Sequence, residues 1–328
     1  MISLPPEIWL QIFSFLALPR PALDVPISLF DIDTNSHIQE FDASYAASMQ
    51  LKLSLQLVCK SWSRLTLPLF WEVICVRPGR RSHAIGSALQ KDYDTSDENT
   101  KLTTNWLGSL VRTLHIRNFG QYSVFDLANI ERILRLCPRL ETITNPDSWQ
   151  LFRSDFHLDI SLSSSIREVH LALLGEQSIK TILNNGEDLQ VVHGSNYDSE
   201  LCPSMEEVVL PLVHTLSMRL SDMEYRNIRA PQLQRWIIHD SIIGIESTQS
   251  FHHHANCVTT LELPCSWPDY RTIDAVLSDM PNLQDLIIHL DPENLSPIAH
   301  RLPPHLRRLG ISASYSYYGD VLNSDEIT

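Results

Sequence analysis

The sequence predicts an α/β chain, a helical N-terminal module followed by an irregular solenoid of short strands. Three observations predict it. Apolar residues at helical spacing mark residues 4–16. A strand signature, apolar-x-x-apolar-x-apolar, recurs between residues 111 and 311. Several copies follow a helical segment and a proline, as in Ile130–Pro138 and Ile273–Pro281. Helix, break and strand in that order make the unit of an α/β stack.

Bulk properties narrow the function classes. A chain of 328 residues suggests about two domains with material for a core. With 43% hydrophobic and 20% charged residues, the composition is that of a globular protein. The formal net charge of -14 argues against nucleic acid, whose phosphates want a basic surface. No apolar run approaches the roughly 18 residues of a membrane span. The N-terminal stretch lacks a positive segment and is interrupted by Glu7, so no secretory signal is expected. The six cysteines, without a CxxC pair, read as reduced core residues of a cytoplasmic or nuclear protein.

In the first helix, Pro5 and Pro6 suit a first turn, where a missing N–H costs nothing. Glu7 lies near the positive end of the helix dipole, and Ile8, Ile12, Phe15 and Leu16 share an apolar face. Residues 19–48, with Pro19, Pro21, Pro26 and an acidic run, read as a surface insertion of little regular structure, with at most a short helix near its end. A second helical pattern runs from Met49 through Leu53, Leu57, Val58 and Trp62 to Leu65, and Pro68 is expected to stop it. Leu69-Phe70-Trp71 makes an aromatic anchor before Val73–Val76. Residues 77–109 read as a linker, with a helical turn or two at His83–Leu89.

The strand signature then occurs at Val111/Leu114/Ile116, Ile166/Val169/Leu171, Val213/Leu216/Met218, Leu233/Trp236/Ile238, Val258/Leu261/Leu263, Leu283/Leu286/Ile288 and Leu306/Leu309/Ile311. Weaker copies start at Leu140 and Leu189, and the steps between copies are 20–29 residues. This resembles leucine-rich repeats, each too small to bury its apolar face without a stacked neighbour. Such repeats carry a polar residue three positions past the strand; here Ser221, Ser241, Ser266, Asp291 and Ser314 stand there, whereas Phe119 and Leu174 do not fit.

The stretch Leu4–Leu16, opening Leu4-Pro5-Pro6-Glu7-Ile8, and the block Leu57–Leu65, with Val58-Cys59-Lys60-Ser61-Trp62 and followed by Leu69-Phe70-Trp71, together resemble the two halves of an F-box, whose pattern opens Leu-Pro-x-Glu-Ile and closes Val-Cys-x-x-Trp. The resemblance covers about residues 4–72, and the join between the halves, about 17–52, is longer than the family's. It implies a three-helix F-box (residues 1–76), then the linker (77–109) and the leucine-rich-repeat-like solenoid (110–328). It also implies a substrate-recruiting subunit of an SCF-type ubiquitin ligase. The F-box would bind a Skp-type adaptor, and through it a cullin, while the solenoid holds an unidentified target protein. Leu4, Pro5, Ile8, Ile12 and Leu16 would face the adaptor or adjoining helices, and Val58, Cys59 and Trp62 would complete the module. The alternative is an interaction scaffold outside any ligase, which the long join favours.

Residues between and just after the paired apolar positions point to the concave face of such a solenoid. They are His115, Arg117, His170, His193, Ser217, Arg219, His239, Glu262, His289 and Ser312, and are the expected target-binding surface. His252-His253-His254 with Cys257 and Cys265 fit no standard zinc spacing and read as a loop. Asp31–Asp42 partly resembles a calcium loop, but Ser36 and Asp42 replace the required Gly and bidentate Glu. Without a nucleophile elbow, phosphate loop or His-Glu-x-x-His, no catalysis and no cofactor is expected.

Overall fold

The computed structural model describes residues 4–17, 34–97, 106–117, 124–144, 165–173, 186–195, 208–218, 228–238, 254–263, 277–278, 280–290 and 305–313. The chain forms two units, Met1–Asp188 and Leu189–Thr328.

The first unit opens with helix α1 (Pro6–Ala17), whose first turn is closed by the Ile8 and Trp9 N–H groups on the Pro5 carbonyl. Helix α2 spans Thr34–Val58 and α3 spans Lys60–Glu72. These bounds correct three expectations. The second helix begins at Thr34, inside the stretch read as an irregular insertion, rather than near Met49. It breaks at Cys59, whose sulfur accepts the Trp62 N–H at 3.5 Å and caps α3. Nor does Pro68 stop α3, which continues through it to Glu72. The three helices pack around Trp9, Phe13 and Trp62, with the Phe13 and Trp62 rings 4.8 Å apart edge to face.

Strand β1 (Val73–Val76) follows α3 directly. Helix α4 (Arg80–Thr95) and a 3-10 turn (Leu107–Leu110) occupy much of the stretch read as linker. Asp126 ties α4 to helix α5 (Val124–Arg135) by accepting from the Gly79 N–H and the Ser82 hydroxyl. Gly79, at φ 82°, makes the left-handed turn into α4 that a side chain would strain. Strands β2 (Thr113–Ile116), β3 (Thr142–Thr144) and β4 (Glu168–Leu173) add to β1 in order, all parallel. Their paired row Ile74, Leu114, Ile143 and Val169 is buried.

The second unit repeats the scheme. Strands β5 (Val191–Ser195), β7 (Thr215–Met218), β9 (Arg235–Ile238), β10 (Thr260–Leu263), β11 (Asp285–Leu290) and β12 (Arg308–Ala313) form a parallel ladder. The short β6 (Val208–Val209) and β8 (Ile228–Arg229) pair separately. The inward row is Val192, Leu216, Trp236, Leu261 and Leu286, all buried.

The prolines of the repeats have one physical job. At Cys137–Leu140, Leu210–Val213, Ala230–Leu233 and Met280–Leu283 the fourth residue donates its N–H to the first carbonyl, at 3.1–3.4 Å. Pro138, Pro211, Pro231 and Pro281 sit second in these turns, where their fixed φ is already correct. First and fourth residues are buried in every case, so each turn drives its strand into the core. The polar positions after the strands, Ser221, Ser241, Ser266, Asp291 and Ser314, with Phe119 and Leu174, lie outside the described residues.

Gly108 in the 3-10 turn lies against the Leu136 carbonyl, which also accepts the Trp106 indole N–H at 3.2 Å. A Cβ there would collide with that carbonyl. Gly108→Ala should therefore destabilise the chain by about 1–3 kcal/mol, the cost of overpacking a closed site, read as a lower thermal midpoint; an unchanged midpoint would mean the turn is free to shift.

Candidate functional site

Two surfaces of the first unit come forward, one apolar and one polar. On α1, Trp9 and Phe13 face the helical core, while the neighbouring stripe Ile8, Ile12, Phe15 and Leu16 is exposed, Phe15 by 70%. At the end of α2, Leu53, Leu57 and Val58 are exposed as well, Leu57 by 86%. Scattered exposed apolar side chains need no explanation, but a stripe of them at helical spacing is a candidate contact surface. Of the residues expected to meet an adaptor, Pro5, Ile8, Ile12, Leu16, Val58 and Cys59 are thus at the surface. Leu4 is half-buried, and so is Trp62, whose ring meets Trp9 at a tilt and Phe13 edge to face.

Beneath this module lies Lys52, whose side chain is fully buried and whose ammonium has no hydrogen-bond partner among the described residues. Burial pulls its pKa down to about 8, against the opposing pull of the Glu72 carboxylate. The neutral amine is thus favoured in the fold, so the cost of burying the charge is complete below pH 8 and eases as pH rises towards 10.5. Lys52→Met should raise the urea midpoint at pH 7, with a gain that shrinks above pH 8. A variant no more stable than wild type at pH 7 would show that the amine finds a partner.

The polar surface is the outward face of β1 and β2, and it is covered. The amino-terminal half of α2 lies over it, so that Phe41 meets His115 with ring centroids 4.6 Å apart. Asp42 bridges two guanidinium groups, Arg77 at 2.9 Å and Arg117 at 3.2 Å. The Arg117 guanidinium carbon stands 5.5 Å from the Phe41 ring centre, a cation–π distance. The Tyr45 hydroxyl accepts the Cys75 N–H of β1 at 3.2 Å, and Phe41, Cys75 and Tyr45 make a small apolar cluster of their own. Burial pushes the Tyr45 hydroxyl up to about 12 and the Cys75 thiol up to about 11, so neither is a ready base or nucleophile.

The residues expected on an open concave face are accordingly placed differently. His115 and Arg117 are buried, at 0% and 3% exposure. His170, with Glu168 3.8 Å away, is buried too, as are His193, Ser217 and Glu262 in the second unit. Glu262 takes an ion pair from Arg235 at 3.4 Å. Arg219 and His239 lie outside the described residues; His289 and Ser312 lie on β11 and β12, their side chains undescribed. Alternation along a strand assigns residues to one face but says nothing about what packs on it. Asp42 and Arg77 were missed, although Arg117 was singled out, because the contacts run from residue 42 to residues 77 and 117.

Residues 34–42 are helical, so the run from Asp31 is no calcium loop. His254 is buried, its Nε2–H donating to the Ile228 carbonyl at 2.9 Å, while His252, His253 and Cys265 lie outside the described residues. Among the described residues no group of three or more His, Cys, Asp or Glu is placed to hold a metal ion. Cys59, Cys75, Cys137 and Cys257 are free thiols, and no described helix is long and apolar enough to cross a membrane. Neither a protein-family model nor a curated protein matches the chain.

His115 hydrogen-bonds Thr144 through Nδ1. Burial, then the Arg117 charge and His170, hold its imidazole neutral, down to about 3. The unfolded chain protonates this histidine near pH 6.5, so its contribution is complete above that pH and is lost as pH falls towards 3. Wild type should lose urea resistance between pH 6.5 and 4 more steeply than His115→Gln. Equal slopes would mean the imidazole titrates freely in the fold.

Proposed function

We propose that this protein is a substrate receptor. Its α1–α3 module docks on the Skp-type adaptor of an SCF-type ubiquitin ligase, and its repeat strands hold a target protein. The observation that carries the reading is the exposed stripe Ile8, Ile12, Phe15 and Leu16 beside Leu53, Leu57 and Val58. Anchors one helical turn apart are what a helix-in-groove interface requires. All but Leu53 lie on the stretches that resemble the two halves of an F-box. The receptor performs no chemistry itself and acts by holding its target near the ubiquitin-carrying enzyme, raising effective concentration.

The test is co-purification of the full chain with purified adaptor, wild type against Ile12→Glu/Leu57→Glu. Both positions are exposed, so the double variant should keep its circular dichroism and thermal midpoint while adaptor binding falls at least tenfold. A folded wild type that ignores the adaptor would leave the chain an interaction scaffold outside any ligase.

A further inference from the structure

The helix that covers β1 and β2 does so in an unusual way. A permanent interface is most stable when apolar side chains meet, because buried polar groups must recover the hydration they lose. Here the covered surface is polar. His115 and Thr144 are at 0% exposure, Arg117 is nearly as deep, and Arg77 stands at the rim. The His115 Nε2 is buried without a hydrogen-bond partner among the described residues. The apolar part of the contact amounts to Phe41, Cys75 and Tyr45, separate from the main core. The Asp42 carboxylate that ties the contact together is one-third exposed, so water and competing carboxylates reach it. Contacts few in number, polar and partly wet are those that open locally below the global unfolding free energy.

The covering segment also has the form of a ligand. An aromatic side chain lies against an imidazole and a guanidinium, and the next residue sets one carboxylate across two arginines, an arrangement that recognises the shape and charge of an aromatic–acidic pair. We infer that Phe41, Asp42 and Tyr45 of α2 form a displaceable strap over a binding site made by the two cationic groups Arg77 and Arg117 with the neutral imidazole of His115, and that the open site takes a partner segment in which an aromatic residue precedes a carboxylate. As a statement about target capture this rests on the proposed receptor function. Binding itself is read without any adaptor, so the two readings fail separately.

The test uses the full chain with Phe41→Ala/Asp42→Ala and a fluorescent peptide of residues 36–48 supplied in trans. The site exists in both proteins but is vacated in the variant. Saturable binding, by anisotropy at low salt, should be at least tenfold tighter to the variant than to wild type. It should weaken with added salt, fall at least tenfold when Arg77→Ala is added, and be absent for a peptide with Phe41 and Asp42 replaced by alanine. A variant that keeps its thermal transition yet binds nothing, or binds no better than wild type, overturns the inference. Should the variant lose its transition, hydrogen exchange of wild type decides. Amides 41–48 opening well before amides 49–58 of the same helix support a displaceable strap, and uniform protection along α2 overturns it.

Discussion

Each turn of the sheet hangs on one carbonyl. The oxygen of Glu72 accepts the Arg112 N–H, that of Arg112 accepts both Glu141 and Thr142, and that of Glu141 both Arg167 and Glu168. In the second unit the same double acceptance runs from Gln190 to His214 and Thr215, from His214 to Gln234 and Arg235, and on through Thr259, Gln284 and Arg307, at 2.7–3.3 Å. A strand of four residues has too few ladder bonds to persist alone. Seating two successive N–H groups on a neighbour's oxygen fixes where each strand begins, and hence which side chains face inward. Only the turn, this carbonyl and the apolar pair must therefore recur, which is why steps of 26 and 29 residues coexist in the first unit and steps of 20 and 25 in the second.

That economy explains what could be read in advance. The strands were legible because Leu114, Leu216, Trp236, Leu261 and Leu286 carry the period themselves, and the proline turns because proline fixes a dihedral locally. The start of α2 was not legible. Its sequence from Thr34 is polar, follows a proline-rich stretch, and is held by Phe41, Asp42 and Tyr45 through partners at least 30 residues away. Tertiary contact overrides weak propensity there. Helix α4 is a different case, because its signal was present. Ser82, Gly86 and Leu89 are buried at helical spacing, but two of the three are small, and a stripe of small residues reads as only a helical turn or two within a linker unless close packing against α5 is already known.

Charge illustrates the gap between bulk and local properties. A net charge of -14 says that the protein repels polyanions on average. Yet Arg77 and Arg117 converge on one carboxylate, and that carboxylate is the protein's own. A cationic site already neutralised from within contributes nothing to a composition and cannot be found by counting.

Helix α2 joins the two surfaces that matter. Its amino-terminal half covers the polar face of β1 and β2, and its carboxy-terminal end carries Leu53, Leu57 and Val58. It is continuous over 25 residues, roughly 36 Å at the helical rise. Unlike a flexible connection, which would let the two surfaces wander, a helix gives them a set separation and rotation. Whatever occupies the exposed stripe is then held at a fixed distance from the strands, and its presence bears on the same element that covers them. The stretch that reads from sequence as an irregular insertion is in this light a working part of the architecture, because from Thr34 onward it supplies the turns of helix that reach the sheet.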